Sequence, residues 1–78
     1  MPKLTVQVNI NSIDKVKSFV NTVTAFDAEF DLISGRFVID AKSIMGIFSL
    51  DLSKPITLNI YNDDDDRILE SLKPFIVE

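Results

Sequence analysis

The chain has 78 residues, 46% of them hydrophobic, and a formal net charge of −4. This length predicts one domain over residues 1–78, and since the chain lacks both a secretory signal and an apolar run of about 20 residues, we expect a complete cytoplasmic domain. The absence of cysteine and histidine excludes disulfides, thiol or imidazole catalysis and histidine-containing zinc sites, while the acidic balance argues against direct contact with nucleic acid or an anionic membrane.

The first half of the chain predicts a strand, a helix and a hairpin. Apolar and polar residues alternate over residues 3–10, which is typical of a half-buried strand. Asn11 and Ser12 offer helix caps, and an amphipathic helix of about 13 residues follows. Its predicted apolar stripe consists of Ile13, Val16, Phe19, Val20 and Val23. Residues 28–40 predict a hairpin that turns at Ser34-Gly35.

The second half predicts a short helix, a strand and a last helix. The short helix covers residues 43–50, and the strand covers residues 55–61 with Ile56, Leu58 and Ile60 turned inward. Pro74 ends the last helix near Leu72 or Lys73, and we expect an irregular tail after it. One apolar face on each element predicts a single four-stranded sheet with helices on one side, an open-faced sandwich of the α+β class.

Four consecutive aspartates, residues 63–66, precede the last helix. Carboxylates in a first helical turn interact favourably with the helix dipole. Neighbouring side chains point in different directions, so these four cannot converge on one cation without ligands from elsewhere. We therefore interpret them as a helix start, and we predict neither a metal site nor a cofactor.

Ser43 is the candidate modification site of this chain, which offers no catalytic template. Its hydroxyl is placed to accept a hydrogen bond from a first-turn N–H of the short helix. A phosphate at this position would agree with the helix dipole and would change a surface, not the core. The simpler alternative is a plain cap, with the neighbouring Lys42 a solvated charge at a strand end.

The short helix carries more apolar side chains than it can bury. Ile47 and Leu50 are expected to contact the core, whereas Ile44, Met45 and Phe48 are candidates for an exposed patch that binds a partner. The alternative is that the patch packs under the loop at residues 51–54.

The run Lys42-Ser43-Ile44-Met45-Gly46, followed by Ser49-Leu50, resembles the signature around the regulatory serine of the HPr family. These proteins are small phosphocarriers of the bacterial sugar phosphotransferase system. The resemblance implies a four-stranded antiparallel sheet of order 1-4-2-3, covered on one face by three helices in the element order βαββαβα. It also implies that Ser43 is the target of the HPr kinase/phosphorylase.

The carrier motif of the family is missing. The family reads Gly-Ile/Leu-His-Ala-Arg-Pro, in which the histidine carries the phosphoryl group. Here Ser12 stands in the place of the histidine and Asp14 in the place of the arginine. Transfer through a phosphohistidine is therefore excluded, and the chain is not expected to be an enzyme.

The chain is similar in type to divergent members of the family such as the catabolite-repression HPr-like protein, in which glutamine replaces the histidine. By this resemblance, the phosphorylated chain would bind a LacI-type catabolite control regulator through the helix of Ile44, Met45 and Phe48. Asp14 would repel a phosphate near that helix. A second hypothesis is therefore an HPr-fold module that docks a partner constitutively through the same patch, without phosphorylation.

Overall fold

The computed structural model describes residues 3–61 and 67–77, in which strands and helices follow in the order β1-α1-β2-β3-α2-β4-α3-β5. The strands β1 to β5 are Leu4–Val8, Phe30–Ser34, Phe37–Asp40, Ile56–Ile60 and Ile76–Val77. The helices α1 to α3 are Ile13–Thr24, Ile44–Ile47 and Arg67–Leu72. The aspartates at 63–66 lie outside the described residues, so their role as a helix start stays a prediction. No helix within the described ranges is long and apolar enough to cross a membrane.

The strands form one antiparallel sheet of order β3-β2-β4-β1-β5. The predicted order 1-4-2-3 is confirmed for the four strands that the sequence indicated, and so is the α+β open-faced sandwich. The sheet has a fifth strand, which extends the edge beside β1.

This fifth strand corrects the prediction of an irregular tail. Pro74 does stop α3, but the chain then turns back along β1. The Asn9 N–H donates to the Phe75 carbonyl at 2.8 Å, and Ile76 and Val77 pair with Val8 and Gln7. The Phe75 ring is buried and meets the Phe19 ring edge to face at 5.5 Å. Burial of this aromatic side chain holds the tail against the sheet.

The core lies between one face of the sheet and the helices. The alternation in β4 is confirmed, because Ile56, Leu58 and Ile60 are all buried. On α1 the stripe begins later than predicted. Ile13 is 62% exposed, since it is the first residue of the helix and precedes the turn that reaches the sheet; the buried residues of α1 are Val16, Phe19 and Val23.

The β2–β3 hairpin turns at Gly35-Arg36, one residue later than Ser34-Gly35, and Ser34 pairs with Phe37. Gly35 has a φ of +61°, and it has the only positive φ among the described residues. A positive φ at the first central turn residue but not at the second, Arg36, is the signature of a type II′ turn, which suits glycine and matches the twist of the flanking strands. Since the other side of β2 pairs with β4, the hairpin places β3 at an outer edge of the sheet.

Candidate functional site

Ser43 lies between the end of β3 and the start of α2, where the chain leaves the sheet. The Ser43 N–H donates to the Asp40 carbonyl at 2.9 Å, which forms the turn. The Ser43 hydroxyl oxygen accepts from the Gly46 N–H at 3.3 Å and thereby caps α2. The predicted cap is confirmed, and the side chain is exposed. The hydroxyl is thus both a helix cap and accessible to solvent.

The helix that Ser43 caps is shorter than predicted, four residues instead of a span of 43–50. Ser49 explains the end of the helix. Its N–H and its hydroxyl both donate to the Gly46 carbonyl, at 3.1 Å and 2.6 Å. Bonds of this i to i+3 kind tighten the last turn, so residues 48–50 continue as turns.

Gly46 allows α2 to lie directly on the sheet. A Cβ atom at this position would lie 2.7 Å from Cγ2 of Ile39 and 3.2 Å from the Ser43 hydroxyl oxygen. Contacts below 3 Å require a neighbour to move, and Ile39 is branched at Cβ and stiff. The glycine of the Ser-Ile-Met-Gly run therefore has a packing role, and it sets how closely Ser43 approaches β3.

Lys42 is not a solvated charge at a strand end, which was the simpler alternative for this residue. Its ammonium group donates to the Phe26 carbonyl at 2.9 Å and lies 5.9 Å from the centre of the Phe30 ring. Its backbone N–H donates to a carboxylate oxygen of Asp40 at 2.9 Å. The side chain is half-buried, and it joins the chain just before Ser43 to the segment that follows α1. Nothing in the local sequence pattern signals this contact, because its acceptor is a distant backbone carbonyl.

The apolar side chains of this region divide into two groups. Met45 is 79% and Phe48 is 41% exposed, so the alternative in which they pack under the loop is wrong. Ile47 is buried and Leu50 packs partly against the core, as predicted. Ile44 was also a candidate for the exposed patch, but its side chain is half-buried because part of it packs against the core. The exposed apolar surface beside Ser43 is therefore formed by Met45 and Phe48.

Ser12 has a structural role at the start of α1. Its hydroxyl oxygen accepts from the Lys15 N–H at 3.1 Å, which confirms the predicted cap. The exposed Ile13 side chain follows directly, and Asp14 lies in the first helical turn. The exposure of Ile13 was missed because the apolar period of the helix includes it.

The loop after α2 is ordered by Asp51. Its carboxylate accepts from the Ser53 hydroxyl at 2.6 Å and from the Ser53 N–H at 3.1 Å. These two hydrogen bonds lower the pKa of the Asp51 carboxyl, with a further small contribution from the charge of Lys54. The described residues contain no group of three or more acidic side chains placed to hold a metal ion.

Comparisons with known proteins agree with this geometry. A family model named PTS-HPr, described as the PTS HPr component phosphorylation site, matches residues 5–78. The search of curated proteins gives no match.

Solved structures give strong matches over nearly the whole chain. One is the phosphocarrier protein HPr from Bacillus anthracis, with 28% identity, a TM-score of 0.74 and coverage of 95% of this chain and 94% of that chain. Another is HPr-C-His from Thermoanaerobacter tengcongensis, with 26% identity, a TM-score of 0.72 and coverage of 92% and 86%. The histidine-containing phosphocarrier protein of Mycoplasma shares the fold, at 14% identity, a TM-score of 0.69 and coverage of 91% and 86%.

Proposed function

This chain belongs to the PTS-HPr family of phosphocarrier proteins, and we propose that it is a regulatory member that no longer carries phosphate on histidine. In this proposal it is not an enzyme. It is phosphorylated on Ser43 by an HPr kinase/phosphorylase, and it acts by binding another protein in carbon catabolite repression. The observation that carries the proposal is the exposed Ser43 hydroxyl beside the exposed Met45 and Phe48 side chains.

The loss of the carrier role is supported by the residue at the start of α1. Ser12 stands where the family has its histidine, and the chain has no histidine at all. The Ser12 hydroxyl oxygen is engaged by the Lys15 N–H. A phosphoserine ester also lacks the high transfer potential of a phosphohistidine. Ser12 therefore stabilises α1 and does not relay phosphate.

Phosphorylation of Ser43 would transfer the γ-phosphoryl group of ATP to the hydroxyl oxygen. The bond to the leaving ADP breaks, and the hydroxyl proton goes to a base of the kinase. The product adds a charge of about −1.5 to −2 beside Met45 and Phe48. Core packing need not change, because the Ser43 side chain is exposed.

The new charge would lack a strong cation within this part of the chain. The ammonium group of Lys42 is bound to the Phe26 carbonyl, and Asp14 replaces the arginine of the family. A partner must therefore supply the positive charge itself. A regulator of the LacI type with basic side chains opposite the phosphate, and an apolar pocket for Met45 and Phe48, fits this requirement.

A second candidate function is constitutive docking through the patch of Ile44, Met45 and Phe48. Its support is the 79% exposure of Met45, because an apolar side chain in water does not stabilise the monomer and is available to a partner. In this alternative Ser43 is only a cap.

The test is incubation with ATP and an HPr kinase/phosphorylase, followed by intact mass measurement. We expect one phosphate on the parent chain and none on Ser43→Ala. Ser49→Ala is the matched control, because Ser49 belongs to the same short segment and is also exposed. Absence of phosphate on the parent chain would contradict the proposal and favour constitutive docking.

Partner binding separates the two candidates further. Each variant is treated with the kinase and then mixed with a LacI-type catabolite control regulator. The phosphorylated parent chain should bind, and Ser43→Ala should abolish binding as fully as Met45→Ala does. If Ser43→Ala leaves binding intact while Met45→Ala removes it, the phosphorylation switch is wrong.

A further inference from the structure

Strand β3 is one edge of the sheet, and within the described residues no strand pairs with its outer side. The backbone of one residue in the middle of β3 is directed toward this free edge. In an antiparallel pair, residues alternate between positions that face the partner strand and positions that face away. The Ala41 N–H donates to the Phe30 carbonyl at 3.0 Å, so Ala41, and two residues before it Ile39, face β2. Val38 lies between these positions, and its N–H and carbonyl therefore face the free edge.

The side chains of this edge are unusually apolar. Phe37 is 62% and Val38 is 61% exposed, on opposite faces of the strand. Natural edge strands are usually protected by a lysine, a proline or a bulge in the strand. Residues 37–40 contain none of the three, and the charges stand only at the two ends, Arg36 and Asp40.

These charges make the edge complementary to itself. Residues 36–40 begin with a basic residue, continue with three apolar residues and end with an acidic residue. An antiparallel copy of the same segment presents these residues in the reverse order. When two copies pair antiparallel about Val38, Arg36 of each copy lies opposite Asp40 of the other. Opposite charges at facing positions stabilise a strand pair.

We propose that β3 pairs with β3 of a second copy of this chain, which gives a two-fold dimer with one continuous ten-stranded sheet. Val38 lies on the two-fold axis and exchanges two backbone hydrogen bonds with Val38 of the second copy. Phe37 lies opposite Ile39 of the second copy on the helix side. Arg36 and Asp40 form two equivalent ion pairs on the open face. This inference is independent of the proposed role of Ser43.

The groups that the dimer needs are available in the monomer. Within the described residues, the guanidinium group of Arg36 has no ion-pair or hydrogen-bond partner. One carboxylate oxygen of Asp40 accepts from the Lys42 N–H, which leaves the other oxygen for a partner. The Asp40 carbonyl is used by the Ser43 N–H, so the backbone pairing is centred on Val38 and short. We therefore expect a weak, concentration-dependent dimer.

Sedimentation equilibrium from about 10 µM to about 2 mM tests this dimer. The mean mass of the parent chain should rise toward twice the monomer mass. Val38→Pro should remain monomeric, since it removes only an outward N–H, and Val38→Thr is the control that keeps this N–H. The Val38 amide should also exchange with solvent more slowly as the protein concentration rises.

Charge reversal tests the register while the outward N–H of Val38 is kept. Arg36→Asp and Asp40→Lys should each weaken association by about tenfold, and the double variant should restore it. Asp40→Asn is the matched control that retains an oxygen for the Lys42 N–H. A parent chain that stays monomeric, a Val38→Pro variant that associates like Val38→Thr, or a double variant no better than the single ones would overturn the proposal. The same holds if Met45→Ser abolishes association while Val38→Pro does not, because the interface would then lie on α2.

Discussion

The Lys42 ammonium group donates to the Phe26 carbonyl oxygen at 2.9 Å, and this contact joins the residue before Ser43 to the segment that follows α1. The chain just after α1 and the chain just before α2 are thus held together by a charged donor and a backbone acceptor. Since α2 has only four residues, it has little stability of its own. The contact with α1 and the packing on β3 decide where Ser43 lies.

Replacement of Lys42 by methionine should lower the free energy of unfolding by about 1–2 kcal/mol, because the Phe26 carbonyl loses a charged donor and the Phe30 ring loses its cation. Urea denaturation followed by circular dichroism measures this loss. Lys17→Met is the control, since Lys17 is exposed on α1. Equal stability of the two variants would mean that the contact contributes nothing.

Gly46→Ala should destabilise the protein by about 1–3 kcal/mol, because the new methyl group would lie 2.7 Å from Cγ2 of Ile39. Helix propensity alone predicts the opposite sign, a gain of about 1 kcal/mol. The double-mutant cycle with Ile39→Ala isolates the contact: the cost of Gly46→Ala should shrink in the background that lacks Cγ2. A stabilised single variant would show that α2 does not pack so closely.

Ser12→Ala should cost about 1 kcal/mol of stability, since the Lys15 N–H at the start of α1 loses its acceptor. Ser18→Ala, at an exposed position in the middle of the same helix, should be neutral or slightly stabilising. Thermal unfolding of both variants provides the comparison. If both behave alike, the capping role of Ser12 is wrong.

The pKa of Tyr61 should lie above its ordinary value of 10, because the Asp31 carboxylate favours the neutral hydroxyl, both as a hydrogen-bond acceptor and through its charge, and because partial burial also raises the pKa. The chain has one tyrosine and no tryptophan, so the ultraviolet absorbance of tyrosinate reports this group alone. Asp31→Ala should lower the pKa toward 10.

The raised pKa of Tyr61 also gives a pH dependence of stability. The neutral hydroxyl is favoured in the folded chain, so its contribution is fully present below pH 10 and is lost as the pH rises through the higher folded pKa. Tyr61→Phe should flatten the alkaline part of the stability curve. An unchanged slope in this variant would assign the dependence to another group.

Much of the fold could be predicted because its signals are local. Alternation in β4 marked Ile56, Leu58 and Ile60 as buried, and the serines before α1 and α2 marked the helix starts. A strand or helix presents its faces at a fixed period, so the pattern of one segment shows which side is turned inward. The exposed Met45 was predictable for a related reason, since a short helix cannot bury an apolar residue at nearly every position.

The candidate site was only partly predictable. The run around Ser43 indicated a modification site, and the surplus of apolar residues indicated an exposed patch. The anchoring of Lys42 on Phe26 and the contact of Gly46 with Ile39 could not be predicted, because each joins side chains to atoms on separate elements.

The sequence by itself therefore determined the inward faces, the helix caps and the absence of a phosphate-carrying histidine. The tertiary structure decided the rest: the exposure of Ile13, the short α2, the pairing of Ile76 and Val77 with β1, and the free edge at Val38. These features depend on which distant backbone groups and core surfaces each segment meets, and no local period encodes that information.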